Sequence, residues 1–403
     1  MKLRDYQIKL SDQAKEKLDL YKFVILSMEV RTWKTYTCLE AIKKYWAKKI
    51  LFLTKKKAIH SIESDYEHYK NNFDCTIINY ESLHKIKWEF DLVVLDESHW
   101  ISSFPKPWLK YKSIKRRFGS LPMILLSWTL STESYSQYFH QIHVNKHTCW
   151  NKYSNFYKWA VDFVKVWQIK TSYWRANCYK KANYEKIMAD VGKYIITYTQ
   201  KEAWFTTSIE EKILYVKMKP ATYEIIGKLQ KDKVVEWTQE VILADTKVKE
   251  QQKVHQLFSW TIKFESWNSM IIDDTKAKFI KEKFKWKKIW IYYNFKEELK
   301  LLKSVFGDNL TTDLQEFNNT DKNIALQIVS GREGISLKEA DYLVFYNIAF
   351  SALSYWQARD RLTTMERKFN TIYWIFTEGW LEDKIYKAVL KKKDFTTKLY
   401  EKC

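Results

Sequence analysis

Between residues 23 and 148 short apolar, β-branched runs alternate with stretches of helical periodicity: FVILSM, KKILFLT, CTIINY, FDLVVLDES, LPMILLS and QIHV. That rhythm predicts βαβ units, a parallel sheet covered by helices. Residues 149–267 change character. Long lysine-rich amphipathic stretches such as KANYEKIMADVGKY and ATYEIIGKLQKDKVV dominate, with one clear strand, KILYVKM, so a helical connector or insertion is expected. From 268 the alternation returns, with helix DDTKAKFIKEKF, strand KKIWIYYN, helix KEELKLLKSVF, and then IALQIVS, DYLVFYN and TIYWIFTEG. The expected class is α/β, with domains over 1–148 and 268–403 joined by a mainly helical segment over 149–267. A chain of 403 residues accommodates two or three domains of ordinary size.

Charge narrows the partners. Lys and Arg number 69 against 48 Asp and Glu, a net charge of +21, and a surplus of this size points to a polyanion, nucleic acid first. The five cysteines, Cys38, Cys75, Cys149, Cys178 and Cys403, are scattered and form no CxxC, which suggests neither a disulfide framework nor a zinc knuckle and fits a reducing cytosol. The start, MKLRDYQIKL, has no apolar core of signal-peptide length, and no run approaches the ~18 apolar residues of a membrane span. A soluble cytoplasmic protein is expected.

One feature of the composition stands out. The chain has 7 glycines and 19 tryptophans, whereas average usage predicts roughly 28 glycines, ~7% of such a chain. Many of the tryptophans occupy places where turns belong: YWAKK, KWEF, SHWISS, KPWLK, ESWNS, KFKWKKI and EGWLED. Tryptophan is a poor turn residue, because its Cβ obstructs the positive φ that glycine adopts freely. This suggests a codon read as glycine by the source, a reassigned UGA, written here as tryptophan.

Two segments carry candidate chemistry. MEVRTWKT, Met28 to Thr35, follows an apolar run and precedes a helical one, KTYTCLEAIKKYWAKK. In a phosphate loop of pattern G-x-x-x-x-G-K-[ST] the lysine reaches the β and γ phosphates, the hydroxyl binds Mg²⁺ and backbone amides cradle the oxygens at a helix N-terminus. Lys34 and Thr35 are in place, with Thr32 taken as a further cofactor-binding candidate, while Met28 and Trp33 hold the two glycine positions. Downstream, VVLDESHW ends an apolar strand in Asp96 and Glu97. An aspartate that holds Mg²⁺ beside a carboxylate that deprotonates water is what nucleotide hydrolysis needs there.

The tetrapeptide DESH resembles the D-E-x-H box of superfamily 2 helicases and translocases, and further segments follow that family's order over nearly the whole chain. The resemblance implies two RecA-like domains that bind Mg²⁺ and ATP. LRDYQ looks like the adenine-reading segment, with Gln7 as the reader, and LLSWTLS looks like the S-[GA]-T coupling motif, with Ser127 and Thr129 retained around Trp128. LFLTKKKAI and IINYESL resemble segments that touch the nucleic-acid backbone, which puts Thr54 and Lys55 forward as phosphate contacts. IVSGREGISLKEAD resembles the Swi/Snf-type glycine-rich motif and brings in Ser330, Gly331, Gly334, Ser336 and Asp341. QARDRL resembles the start of the last motif, with Gln357, Asp360 and Arg361; Arg361 is the arginine-finger candidate, with Arg359 and Arg367 as substitutes because Thr364 stands where a second arginine is usual.

Other clusters weigh less. His140, His143, His147 and Cys149 match no standard zinc spacing, and the runs Lys55–Lys57 and Lys391–Lys393 read first as solvated faces. The expected function is an ATP-dependent helicase or translocase acting on nucleic acid, DNA before RNA. The alternatives are a catalytically inactive nucleic-acid-binding protein with a motor fold, which a genuine Trp33 would favour, and a P-loop NTPase that ignores nucleic acid.

Overall fold

The computed structural model describes residues 3–29, 32–69, 72–86, 89–128, 130–131, 134–170, 175–199, 201–203, 208–237, 240–328, 339–359, 369–391 and 400. The chain divides into two compact units, Met1–Phe205 and Thr206–Cys403.

The helices of the first unit are α1 (Asp5–Tyr21), α2 (Lys34–Tyr45), α3 (Ile59–His68), α4 (Leu109–Phe118), α5 (Tyr138–His143), α6 (Phe156–Phe163) and α7 (Tyr184–Val191). Its strands are β1 (Phe23–Met28), β2 (Lys49–Thr54), β3 (Asp74–Asn79), β4 (Leu92–Leu95), β5 (Met123–Ser127), the small hairpin β6 (Trp167–Lys170) and β7 (Arg175–Cys178), and β8 (Ile195–Tyr198). Six of them form one sheet in the order β3-β2-β4-β5-β1-β8, parallel throughout.

The apolar runs are continuous because both faces of this sheet are covered, and successive side chains go to opposite cores. Ile25, Leu51, Leu53, Val93, Leu95 and Leu125 join one cluster with the aromatic side chains of α5 and α6. Their neighbours Val24, Leu26, Ile50, Phe52, Val94 and Ile124 join the other, under α1 and α2.

The second unit contains β9 (Ser208–Val216), α8 (Pro220–Asp232), β10 (Val234–Trp237), β11 (Glu240–Leu243), α9 (Lys247–Phe258), β12 (Thr261–Lys263) and β13 (Ser269–Ile271). It continues with α10 (Thr275–Lys283), β14 (Ile289–Tyr293), α11 (Lys296–Phe306), β15 (Leu310–Thr311), α12 (Leu314–Asn319), β16 (Asn323–Gln327), β17 (Tyr342–Phe345), α13 (Ala352–Arg359), β18 (Phe369–Thr377) and α14 (Leu381–Leu390). Its main sheet runs β15-β16-β14-β17-β18-β9, again all parallel. Both units are RecA-like α/β layers. They share a local device: Asp91 accepts hydrogen bonds from the Lys48 and Lys49 amides in the first, and Asp341 accepts one from the Lys288 amide in the second, each pinning the start of a neighbouring parallel strand.

Two expectations change. Gln141, Ile142 and His143 of QIHV end α5, which is buried throughout, with Val144 as its C-cap, and a short apolar run does not distinguish a buried helix from a strand. The stretch 149–267 is divided between the units, since β8 completes the first sheet and β9 pairs with β18 along nine residues in the second. Edge strands added from a distant part of the chain leave no local sign of which sheet they join. Among the described residues, no helix is long and apolar enough to cross a membrane.

Candidate functional site

Parallel pairing puts the carboxyl ends of β1, β2, β4 and β5 on one edge of the first sheet, the edge where open α/β folds bind ligands. The loop after β1 leads directly into α2 and turns at Thr32, whose amide and hydroxyl both donate to the Glu29 carbonyl, at 3.3 and 2.7 Å. Tyr6 reaches the Thr32 carbonyl from α1 at 3.3 Å. Trp33 is the N-cap of α2 with φ 58° and ψ 45°, a left-handed backbone. Its indole lies 5.4 Å from the Tyr36 ring and 5.3 Å from the Arg4 guanidinium, measured between centres.

Lys34 and Thr35 open α2. The Lys34 charge acts on both carboxylates of the DESH segment, while the Thr35 hydroxyl is turned to Asp65 of α3. Burial pushes the Asp65 carboxyl above its ordinary range, against hydrogen bonds from Tyr36 and Thr35.

Asp96 and Glu97 follow β4. Asp96 is held from three directions: Thr54 Oγ1 donates to its Oδ2 at 2.7 Å, Tyr80 donates to its carbonyl at 2.7 Å, and its amide donates to the Leu53 carbonyl at 2.8 Å. Burial, reinforced by the neighbouring Glu97 charge, pushes the Asp96 carboxyl up to about 6, against Lys34 and Thr54. Glu97 is also desolvated, yet Lys34, His99 and Lys55 together hold it below the ordinary carboxylate range. The two acids form a coupled pair with their affinities for protons pushed apart.

Glu97 has φ 50° and ψ 51°, a strained conformation for a residue with a side chain. His99 Nδ1 stands 3.2 Å from Glu97 Oε2 but without hydrogen-bond geometry, so Glu97 Oε2 and both His99 nitrogens are buried without hydrogen-bond partners. Buried polar atoms of this kind call for a ligand or an ordered water. Lys55 completes the rim, its ammonium 4.2 Å above the Trp100 ring.

The structure therefore brings Thr32, Trp33, Lys34, Thr35, Asp96, Glu97 and Lys55 to one edge, with Ser127 buried at the end of β5. Thr54 is corrected: it is fully buried and spends its hydroxyl on Asp96, so it presents nothing to a nucleic-acid backbone. Gln7 is buried and its side-chain Oε1 accepts the Arg4 amide at 2.9 Å, closing the start of α1. Arg359, at the end of α13, gives its Nε–H to Glu211 of β9, which also accepts from Tyr355, Trp374 and Tyr386. Gln357 lies on α13, with its side chain outside the described residues; Thr129, Ser330, Gly331, Gly334, Ser336, Asp360, Arg361, Thr364 and Arg367 also lie outside them.

His140, His143 and His147 bond to the Ser103, Tyr153 and Ser120 carbonyls, and the described residues contain no group of three potential metal ligands from His, Cys, Asp and Glu. Asp65 lies in no sequence motif, while Tyr80 and His99 fall within IINYESL and DESH without an assigned role. For Tyr80 a signal existed, since it follows the carboxyl end of β3.

The chain is similar to two solved SWI2/SNF2 ATPase cores. The Sulfolobus solfataricus core in complex with dsDNA matches at 15% identity over 97% of this chain and 91% of that one, with a TM-score of 0.44. The Sulfolobus solfataricus core domain matches at 15% identity over 97% and 89%, with a TM-score of 0.43. No family model matches the chain, and no curated protein does. Both structural matches are similarities of fold, and what the site can do rests on its own residues.

Proposed function

We propose that the chain is an ATP-dependent nucleic-acid motor, a helicase or translocase that acts on DNA. The observation that carries this reading is the convergence of Lys34, Asp96 and Glu97 on one sheet edge, with Glu97 Oε2 buried and 3.2 Å from His99 Nδ1. The donor set fits Mg²⁺ and ATP. Magnesium takes one or two carboxylates together with substrate phosphates and waters; Asp96 would supply the carboxylate, and the Thr35 hydroxyl, which in this structure meets Asp65, would have to turn to the metal. Bound Mg²⁺ would neutralise charge on the β and γ phosphates.

Lys34 and the amides of Thr32 to Thr35 hold the phosphates at the start of α2, a favourable place for an anion. Glu97 orients the attacking water and takes its proton at Oε2. Being held in its charged form by Lys34, it is ready to do so at neutral pH. Gln7 is proposed to read the base, Arg361 to stabilise charge on the transferring phosphoryl group, and Gly334 and Arg359 to border the nucleotide. Lys55, Ser330 and Gly331 are the proposed nucleic-acid contacts, and Ser127, Thr129 and Gln357 the proposed coupling residues. The net charge of +21 supports a polyanionic track.

Trp33 favours a second reading, an inactive binder that keeps the fold, because an indole beside Lys34 competes for the space of the phosphates. ATP turnover with and without duplex DNA separates the readings in protein carrying glycine at position 33. A motor is stimulated by DNA, an inactive binder holds DNA without turnover, and an unrelated NTPase turns over ATP indifferently to DNA. Absence of turnover in that protein overturns the motor reading.

A further inference from the structure

Left-handed backbone is a property of the chain path. A side chain in that region brings its Cβ against the following carbonyl oxygen and costs roughly 1–2 kcal/mol, so glycine takes such positions by default. Among the described residues eight non-glycine positions have positive φ, and five of them are tryptophan: Trp33 (58°), Trp46 (63°), Trp260 (63°), Trp267 (73°) and Trp286 (67°). Tryptophan is 19 of 403 residues, so its abundance accounts for fewer than one of eight.

Each of the five sits where local geometry asks for glycine. Trp46 is the left-handed C-cap of α2, its amide bonded to the Lys43 carbonyl, the position at which helices most often end in glycine. Five residues lie between β12 and β13; the Phe264 amide bonds the Asn268 carbonyl, and Trp267 is the last of the three residues this bond encloses, where hairpin loops of that length place a left-handed glycine. Trp286 lies in the turn from α10 to β14, and Trp33 caps α2 beside Lys34. Trp46, Trp267 and Trp286 are 72%, 79% and 90% exposed, add nothing to the core, and keep surface contacts with the Lys48, Lys263 and Lys285 ammoniums.

The core tryptophans behave otherwise. Trp150, Trp159, Trp290 and Trp374 are fully buried with no positive φ, and Trp150 and Trp374 donate their indole N–H to Asp190 and Glu211 at 2.8 and 2.9 Å. Trp260 combines the two classes, being buried and bonded to Thr377 Oγ1. There the backbone decides. The amide and carbonyl of residue 260 are fixed to Leu257 and Ile272, and the Thr377 hydroxyl keeps its own bond to the Phe258 carbonyl without the indole.

We infer that positions 33, 46, 260, 267 and 286 are glycine in the protein its source makes, and that a reassigned UGA codon is written there as tryptophan, while the core tryptophans are genuine. At position 33 this removes the side chain beside Lys34 and gives the loop amides free approach to an anion. Peptide mass spectrometry of the protein isolated from its source should find glycine at all five positions and tryptophan at 150, 159, 290 and 374. The gene should carry UGA at the five and UGG at the four. An indole mass at any of the five positions, or a UGG codon there, overturns the inference.

Recombinant protein gives a second reading: Trp46→Gly, Trp267→Gly and Trp286→Gly should each raise Tm, and a lowered Tm in all three overturns the backbone argument. None of these measurements involves ATP turnover, so they stand or fall separately from the motor reading.

Discussion

Thr54→Val isolates the contact that holds Asp96, the carboxylate proposed to bind Mg²⁺. Valine keeps the shape of the buried side chain and removes the donor that meets Asp96 Oδ2 at 2.7 Å. A hydrogen bond to a charged group is worth about 1.5–3 kcal/mol, which at ~1.4 kcal/mol per pKa unit is a rise of roughly one to two units. Asp96, already pushed up to about 6 by burial and by Glu97, should then titrate at roughly 7 to 8. At pH 7 its ionised share drops from about nine-tenths to between roughly one-half and one-tenth.

Only the ionised carboxylate binds Mg²⁺, so DNA-stimulated turnover at pH 7 and limiting Mg²⁺ should fall roughly two- to tenfold. At pH 9 both forms of the protein are ionised and the deficit should close. DNA affinity and its salt dependence should not change. A deficit of equal size at both pH values, or weakened DNA binding with an unaltered pH profile, would refute the assignment of Thr54 to Asp96.

Glu97→Gln should keep nucleotide binding, read by a fluorescent analogue, and lose at least ~10²-fold in turnover, the usual minimum for a positioned base; a loss under tenfold removes Glu97 from that role. Glu382 is pushed up to about 7 by burial, against its buried partner Lys276. As an acid raised in the folded state, it contributes stability that is present below about 4.5 and lost as pH rises through about 7, up to ~3 kcal/mol. Urea melts of the chain and of Glu382→Gln from pH 4 to 8 should diverge over that window, and parallel curves would contradict it. Glu211→Gln removes the charge that Arg359, Tyr355, Trp374 and Tyr386 share. It should lower stability by about 2–3 kcal/mol, and a double-mutant cycle with Tyr355→Phe should be non-additive; additive losses would show that the four donors do not act together.

The order of elements was legible because apolar periodicity is a local property of the chain. FVILSM, KKILFLT, LPMILLS and TIYWIFTEG are strands because a parallel sheet buried on both faces needs uninterrupted apolar runs. Lys34, Asp96 and Glu97 were legible because a loop between strand and helix and the end of an apolar strand are also local patterns. The scarcity of glycine beside an excess of tryptophan was visible in the composition alone.

Other features waited for the tertiary structure. Whether QIHV was helix or strand, and which sheet claimed β8 and β9, depended on what packed against them. Thr54 meets Asp96 because β2 and β4 pair in parallel, and Arg359 of α13 meets Glu211 of β9, in both cases residues far apart in sequence. The five left-handed tryptophans needed backbone angles, because φ is settled by the path between elements and not by the residue written at the turn. The sequence by itself determined the kinds of elements and the chemistry carried at their ends. The tertiary structure decided which of those ends meet, because only the register of the sheet sets distances between residues that the chain keeps apart.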